Sequence, residues 1–187
     1  ENGCMLGMRF DDRYDFDNVN DIFLDKNNIY GYEMYINSDF PITDVLECYV
    51  NNCIPLITVK PPLNGNGFDL NKAESLALDF GRLNIPLMVE FYPDPCGYGF
   101  LSEDYISFYS NVREIFREKA PNCIFVWSTN INNVQQSISY YPGDKFVDWV
   151  GMSLYVTTND FENDIYGDFD YFYYTFQGKK PIVITSF

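Results

Sequence analysis

Seven apolar runs of strand length, separated by polar or helix-patterned stretches, constrain this chain more than any other feature. They occupy 5–10, 29–36, 54–59, 85–92, 123–127, 147–154 and 181–185. Several are apolar nearly throughout rather than alternating, the pattern of parallel strands covered on both faces. Two open with the same triplet, Ile54-Pro55-Leu56 and Ile85-Pro86-Leu87. A proline at the start of a strand forfeits no ladder hydrogen bond, so both positions suit a sheet.

Helix patterns lie between the runs. The clearest covers 102–120, with Ile106, Tyr109, Val112 and Phe116 at helical spacing, Ser102 as expected N-cap, Glu103 and Asp104 at the positive helix start, and Pro121 as the stop. A second covers 71–82, with Ala73, Leu76, Ala77 and Phe80 inward; shorter ones are expected at 19–26, 42–51 and 168–177. Asn64-Gly65-Asn66-Gly67 reads as a turn-rich loop. Strands alternating with helices make an α/β protein with a parallel sheet. No GxGxxG or phosphate-loop motif follows the first strand, so a (β/α)8 barrel fits better than a doubly wound sheet. Such a barrel needs eight strands and usually about 250 residues. The 187 residues supply seven. The expectation is a single domain, 1–187, of TIM-barrel type without its final strand and helix: a fragment, or a barrel closed by another segment or chain.

Composition narrows the function. The 27 Asp and Glu outweigh 12 Lys and Arg, giving a net charge of −15. That charge repels phosphate backbones and anionic lipid and argues against nucleic-acid and membrane partners, while suiting a neutral polysaccharide. No apolar run approaches the roughly 18 residues of a membrane span. No basic segment followed by an apolar one marks a signal peptide, and the first residue is Glu1, which is compatible with a removed leader. There is no histidine, which excludes Ser-His-Asp and Cys-His catalysis and removes the commonest metal ligand. The five cysteines, Cys4, Cys48, Cys53, Cys96 and Cys123, contain no CxxC pair and read as free core thiols. No cofactor is expected and no metal; Asp11, Asp12, Asp15 and Asp17 could hold a cation, but their spacing better suits the cap of the following helix.

In a barrel, chemistry sits at the C-terminal strand ends. Those ends carry Arg9, Asp11 and Asp12; Tyr35, Asn37 and Asp39; Lys60; Glu90, Tyr92 and Asp94; Trp127 and Asn130; Tyr155; and Ser186. Carboxylates, amides and aromatics converging on one rim suit glycoside hydrolysis, which needs two carboxyl groups flanking the bond.

Three stretches carry a resemblance. Val126-Trp127-Ser128-Thr129-Asn130, the run from Tyr140-Tyr141-Pro142-Gly143-Asp144 through Val147-Asp148-Trp149-Val150-Gly151 to Tyr155, and Lys180-Pro181-Ile182-Val183-Ile184 resemble motifs of glycoside hydrolase family 26, the β-mannanase-like enzymes. The resemblance implies a (β/α)8 barrel, a β-linked polysaccharide or oligosaccharide as partner, and an extracellular or cell-surface setting. In the family, the fourth strand runs Arg, then Phe-His-Glu-x-Asn-Gly, with the glutamate as acid/base. Here the segment is Glu90-Phe91-Tyr92-Pro93-Asp94-Pro95-Cys96-Gly97-Tyr98. Aligning Gly97 puts Asp94 on the acid/base position, whereas aligning Phe91 leaves no acid. The family's nucleophilic glutamate, which the later tyrosine contacts, falls on Ser186, and a serine without a base cannot be the carboxylate nucleophile. Tyr92, Tyr98, Tyr35, Trp127, Asn130 and Tyr155 are the expected sugar-binding residues. Where the family often has a Glu after strand three and an Arg in strand four, this chain has Lys60 and Glu90, an ion pair of exchanged polarity. The expectation is a degenerate barrel, leaning inactive, that binds polysaccharide or serves a structural role. The alternatives are an active glycan hydrolase with Asp94 as acid and Glu33 or Asp11 as second carboxylate, and a protein-interaction barrel within an assembly.

Overall fold

A computed structural model describes residues 7–9 (backbone), 29–63, 67–154 and 165–186. In chain order the elements are β1 (Gly7–Arg9), β2 (Ile29–Tyr35), α1 (Ile42–Val50), β3 (Ile54–Lys60), α2 (Leu70–Leu83), β4 (Leu87–Phe91), α3 (Ser102–Lys119) and β5 (Cys123–Asn130). There follow a short helix α4 (Val134–Ser137) flanked by 3-10 turns, β6 (Trp149–Ser153), α5 (Ile165–Phe176) and β7 (Ile182–Ser186). The seven strands form one sheet in sequence order, each parallel to the next. This is the order a β/α barrel generates; no eighth strand lies among the described residues. The expected helix at 19–26, the turn at 64–66, the aspartates from Asp11 to Asp17 and Tyr155 lie outside the described residues.

Strands β3, β4 and β5 are buried on both faces, which explains their unbroken apolar runs. One face carries Ile29, Leu56, Met88 and Val126, joined by Ile54, Ile124, Trp149 and Val183, and fills the concave side of the sheet. The other carries Ile57, Val59, Val89, Phe91, Phe125, Trp127, Val150 and Met152, and packs beneath the helices. An aromatic column seals that layer: Phe80 meets Phe116, and Phe116 meets Phe125.

The helices dock closely for local reasons. Asp69 caps α2 by accepting from the Asn71 and Lys72 amides at 3.0 and 3.1 Å, and Asn84 ends it in the left-handed conformation. On α2, Gly81 lets the Lys119 carbonyl at the end of α3 approach so far that a Cβ would sit 2.0 Å from that oxygen. One expectation is corrected here. Ser102 does not cap α3; it is the first helical residue, and Leu101 occupies the cap position without a side-chain hydrogen bond. Glu103 and Asp104 do occupy the first turn. No helix among the described residues is long and apolar enough to cross a membrane.

Candidate functional site

Above the apolar fill, the concave face turns polar within two residues along β3, β4 and β5. Leu56 is followed by Thr58, Met88 by Glu90, and Val126 by Ser128. Glu90 is only 2% exposed. Its carboxylate accepts hydrogen bonds from the Thr58 hydroxyl at 2.5 Å and the Ser128 hydroxyl at 2.6 Å. The strand register explains this arrangement, since Thr58 lies directly opposite Glu90. Lys60, one row higher, reaches the other way and pairs with Glu33 on β2. The expected Lys60–Glu90 pair is therefore replaced by a Lys60–Glu33 pair and a hydroxyl-lined Glu90. Glu33, Tyr35, Ser38, Asp39 and Lys60 line a shallow pocket at the ends of β2 and β3.

Beyond β4 the chain takes two left-handed steps, at Tyr92 (φ 51°) and Asp94 (φ 50°). The first sends Tyr92 to the helix side of the sheet. Its ring stacks on Phe91 at 4.8 Å and packs against Phe108, its hydroxyl donates to the Gly67 carbonyl, and it is fully buried. The second turns the Asp94 carboxylate back towards β5. Both of its oxygens accept from the Asn133 side-chain amide, at 3.2 and 3.0 Å, and one accepts from the Asn130 backbone N–H at 3.3 Å. The carboxylate occupies the space that a side chain at Gly97 would need: a Cβ there would lie 2.5 Å from Asp94 Oδ2. The loop glycine is thus a steric condition for the position of Asp94.

Tyr98 projects from this loop and is 42% exposed. Partial burial, then the charges of Asp94, Glu33 and Glu90, push its phenol up to about 12. Desolvation and nearby negative charge both disfavour the phenolate. Asn130, at the end of β5, accepts from the Asn132 amide at 2.9 Å and donates to the Ser153 hydroxyl at 3.4 Å. Ser186, at the end of β7, is 7% exposed, and its carbonyl accepts from the Leu154 amide across a register shift between the strands.

One end of the sheet thus gathers Asp94, Asn130, Tyr98, Tyr35, Glu33, Lys60, Glu90 and Ser186. Two expected sugar platforms are not among its surfaces. Trp127 is fully buried on the helix side, against Tyr141 and Phe176 at 5.2 and 6.0 Å. The residues before and after it, Val126 and Ser128, take the concave face. Tyr92 is removed by its left-handed turn. Thr58, Ser128 and Asn133 were not anticipated. A hydroxyl inside an otherwise apolar strand is a usable signal for the first two, whereas nothing local marks Asn133 as the partner of Asp94.

The 140–151 stretch proves to be a set of fasteners. The Tyr140 hydroxyl donates to the Phe100 carbonyl at 2.7 Å, and Tyr141 to Asp144 at 2.7 Å. Gly143 takes a φ of 99°, which favours glycine. Lys180 donates to the carbonyls of Asp144 and Val147 at 2.7 and 2.5 Å. Asp148 holds the Arg113 guanidinium with both oxygens, at 3.1 and 2.8 Å, and accepts from the Phe125 amide. At Gly151 a Cβ would lie 2.7 Å from Thr185 and 2.9 Å from Ser128, so only glycine fits between β5 and β7.

Comparisons with known proteins bear on the fold that carries this site. The sequence profile of Glycosyl hydrolase family 26 matches residues 101–185, a span that stops short of both Asp94 and Ser186. No curated protein matches by sequence. Among solved structures, the GH26 β-mannanase BoMan26A of Bacteroides ovatus superposes with a TM-score of 0.65 at 15% identity, over 83% of this chain and 61% of that one. GH26A from Muricauda sp. gives 0.55 at 15% identity, over 83% and 66%. The Podospora anserina GH26-CBM35 β-(1,4)-mannanase gives 0.59 at 13% identity, over 97% and 50%. The chain spans about 61% of the length of the Bacteroides enzyme. Over most of its length the fold resembles that of the GH26 structures, and over 101–185 the sequence matches the profile of the family.

Proposed function

We propose that this barrel binds a β-linked polysaccharide at the C-terminal end of its sheet and does not hydrolyse it. The observation that carries the reading is the state of the two aligned acidic positions. Asp94 is bound through both oxygens by Asn133 and by the Asn130 amide, and Ser186 stands where the family resemblance puts the nucleophile. Hydrolysis of this type needs two carboxyl groups about 5–5.5 Å apart for retention or about 6.5–9.5 Å apart for inversion. Glu90, deep in the sheet, is lined by Thr58 and Ser128, and Glu33 is paired with Lys60. Tyr98 and Tyr35 supply the aromatic surfaces, and Asn130 and the Lys60–Glu33 pair the polar ones. A polymer of this kind is met outside the cell or at its surface, and we assign the chain to that setting.

The solved neighbours named above include mannanases, so β-1,4-mannan is the first polymer to test, with mixed-linkage glucan and xylan beside it. Affinity electrophoresis should retard the chain in at least one of these gels, while reducing-sugar assays on the same polymers stay at background. Turnover that disappears in Asp94→Ala would overturn the reading, as would an absence of retardation with all three.

A further inference from the structure

Helix α1 ends in a Schellman motif, and the two residues that such a motif brings together are both cysteines. Asn52 takes the left-handed conformation, with φ 62°. The Cys53 amide donates to the Cys48 carbonyl at 3.1 Å, and the Asn52 amide to the Tyr49 carbonyl at 3.0 Å. These are the six-to-one and five-to-two bonds of the motif, which folds the residue after the left-handed turn back onto the last full turn of the helix. A hydrophobic contact between those two positions is the usual accompaniment. Here the pair is Cys48, fully buried, and Cys53, 5% exposed, neither of them in a disulfide and with their side chains in contact.

The two sulfurs differ in access. Cys53 lines a surface groove with Tyr49, Val50, Asn52, Ile54 and Pro86. Cys48 faces the interior beside Val45, and burial together with the adjacent Cys53 sulfur holds its thiol well above the ordinary value. A disulfide needs its two Cα atoms roughly 4.4–6.8 Å apart. The six-to-one backbone hydrogen bond draws the two residues together at the junction of α1 and β3.

We propose that Cys48 and Cys53 form a disulfide-forming pair, closed by exchange with a small-molecule disulfide that enters at Cys53. The Cys53 thiol loses its proton and attacks one sulfur of the small disulfide, whose S–S bond breaks and releases one small thiol. The Cys48 thiol then loses its proton and attacks the Cys53 sulfur of the mixed disulfide, releasing the second small thiol. Two protein thiols are oxidised and one small disulfide is reduced, so electrons and protons balance. The product staples the end of α1 to the start of β3.

The test uses glutathione. The chain is equilibrated across ratios of oxidised to reduced glutathione, quenched with acid, alkylated under denaturing conditions and mapped by mass spectrometry. The expected product is a Cys48–Cys53 linkage two hydrogens lighter than the dithiol, rising as the ratio becomes more oxidising. Cys123, buried beneath α3, stays alkylated throughout. Cys48→Ser should trap Cys53 as a stable glutathione adduct, whereas Cys53→Ser should leave Cys48 unmodified. Circular dichroism on both variants establishes that they are folded. Alkylation of both cysteines at every ratio, or linkage of either to Cys4 or Cys96, would overturn the proposal.

Discussion

Replacing Asp94 separates a structural carboxylate from a catalytic one, because the two roles predict opposite pairings of stability and turnover. In the structure Asp94 is the acceptor for the Asn133 amide and the Asn130 N–H. Asp94→Ala leaves both donors without it, at about 1–3 kcal/mol for each group that stays buried. Asp94 is only half-buried, so water recovers part of the loss, and the lower end applies: about 2–3 kcal/mol in all. For a chain of this size that corresponds to a melting temperature lower by roughly 4–12 °C. Asp94→Asn keeps the volume but sets one amide NH2 against another, so it should lose about 1–2 kcal/mol. A double-mutant cycle with Asn133→Ala isolates the contact, with an expected coupling of about 0.5–3 kcal/mol. Urea titration with parallel thermal melts measures the parent and all four variants. If both Asp94 variants melt with the parent and the cycle shows no coupling, Asp94 is not the bolt between the β4 loop and β5 that is described here. Should polysaccharide turnover vanish at the same time, the residue is catalytic and the non-hydrolytic reading fails with it.

Two further substitutions probe the frame that carries the rim. Gly81→Ala should gain about 1 kcal/mol of helix propensity, yet its Cβ would meet the Lys119 carbonyl at 2.0 Å and force α2 from α3. The net effect expected is a destabilisation of about 1–3 kcal/mol by urea titration, and a stabilised variant would refute the close approach. Asp148→Asn leaves the nearly buried Arg113 guanidinium without its counter-charge, for an expected loss of about 3 kcal/mol. The reading is a lower urea midpoint at unchanged slope.

The fold was legible because strand-length apolar runs alternate with helical patterns, and the order β1 to β7 follows from that alternation. Which residues face the concave side was not legible. Strands buried on both faces lack hydrophobic alternation, so periodicity assigns neither Trp127 nor Val126 to the mouth. Register decides it, and register is a non-local quantity. The partner of Lys60 escaped for the same reason: β2, β3 and β4 are staggered so that Thr58, not Lys60, lies across from Glu90. Tyr92 was misread because a left-handed turn by a bulky residue has no sequence marker. By contrast, the Pro-Gly turn, Asp148, Gly151 and Lys180 were legible as a motif before their contacts were known. The contacts show why such a motif reports on a scaffold rather than on an activity.

The hollow between Asp94 and Gly97 bears on how this molecule could be engineered. An Asp94→Glu substitution would lengthen the acid by one methylene in a space with no spare volume on the Gly97 side. The longer carboxylate would have to leave Asn133 and swing towards Tyr98, trading an anchoring contact for exposure at the mouth. Installing a second acid at Ser186 would then place a charge at a position that is 7% exposed. On the non-hydrolytic reading proposed above, gain of hydrolysis in this scaffold is a coordinated problem. Each step alone lowers stability before either contributes to chemistry, and a search by single substitutions would stall at the first.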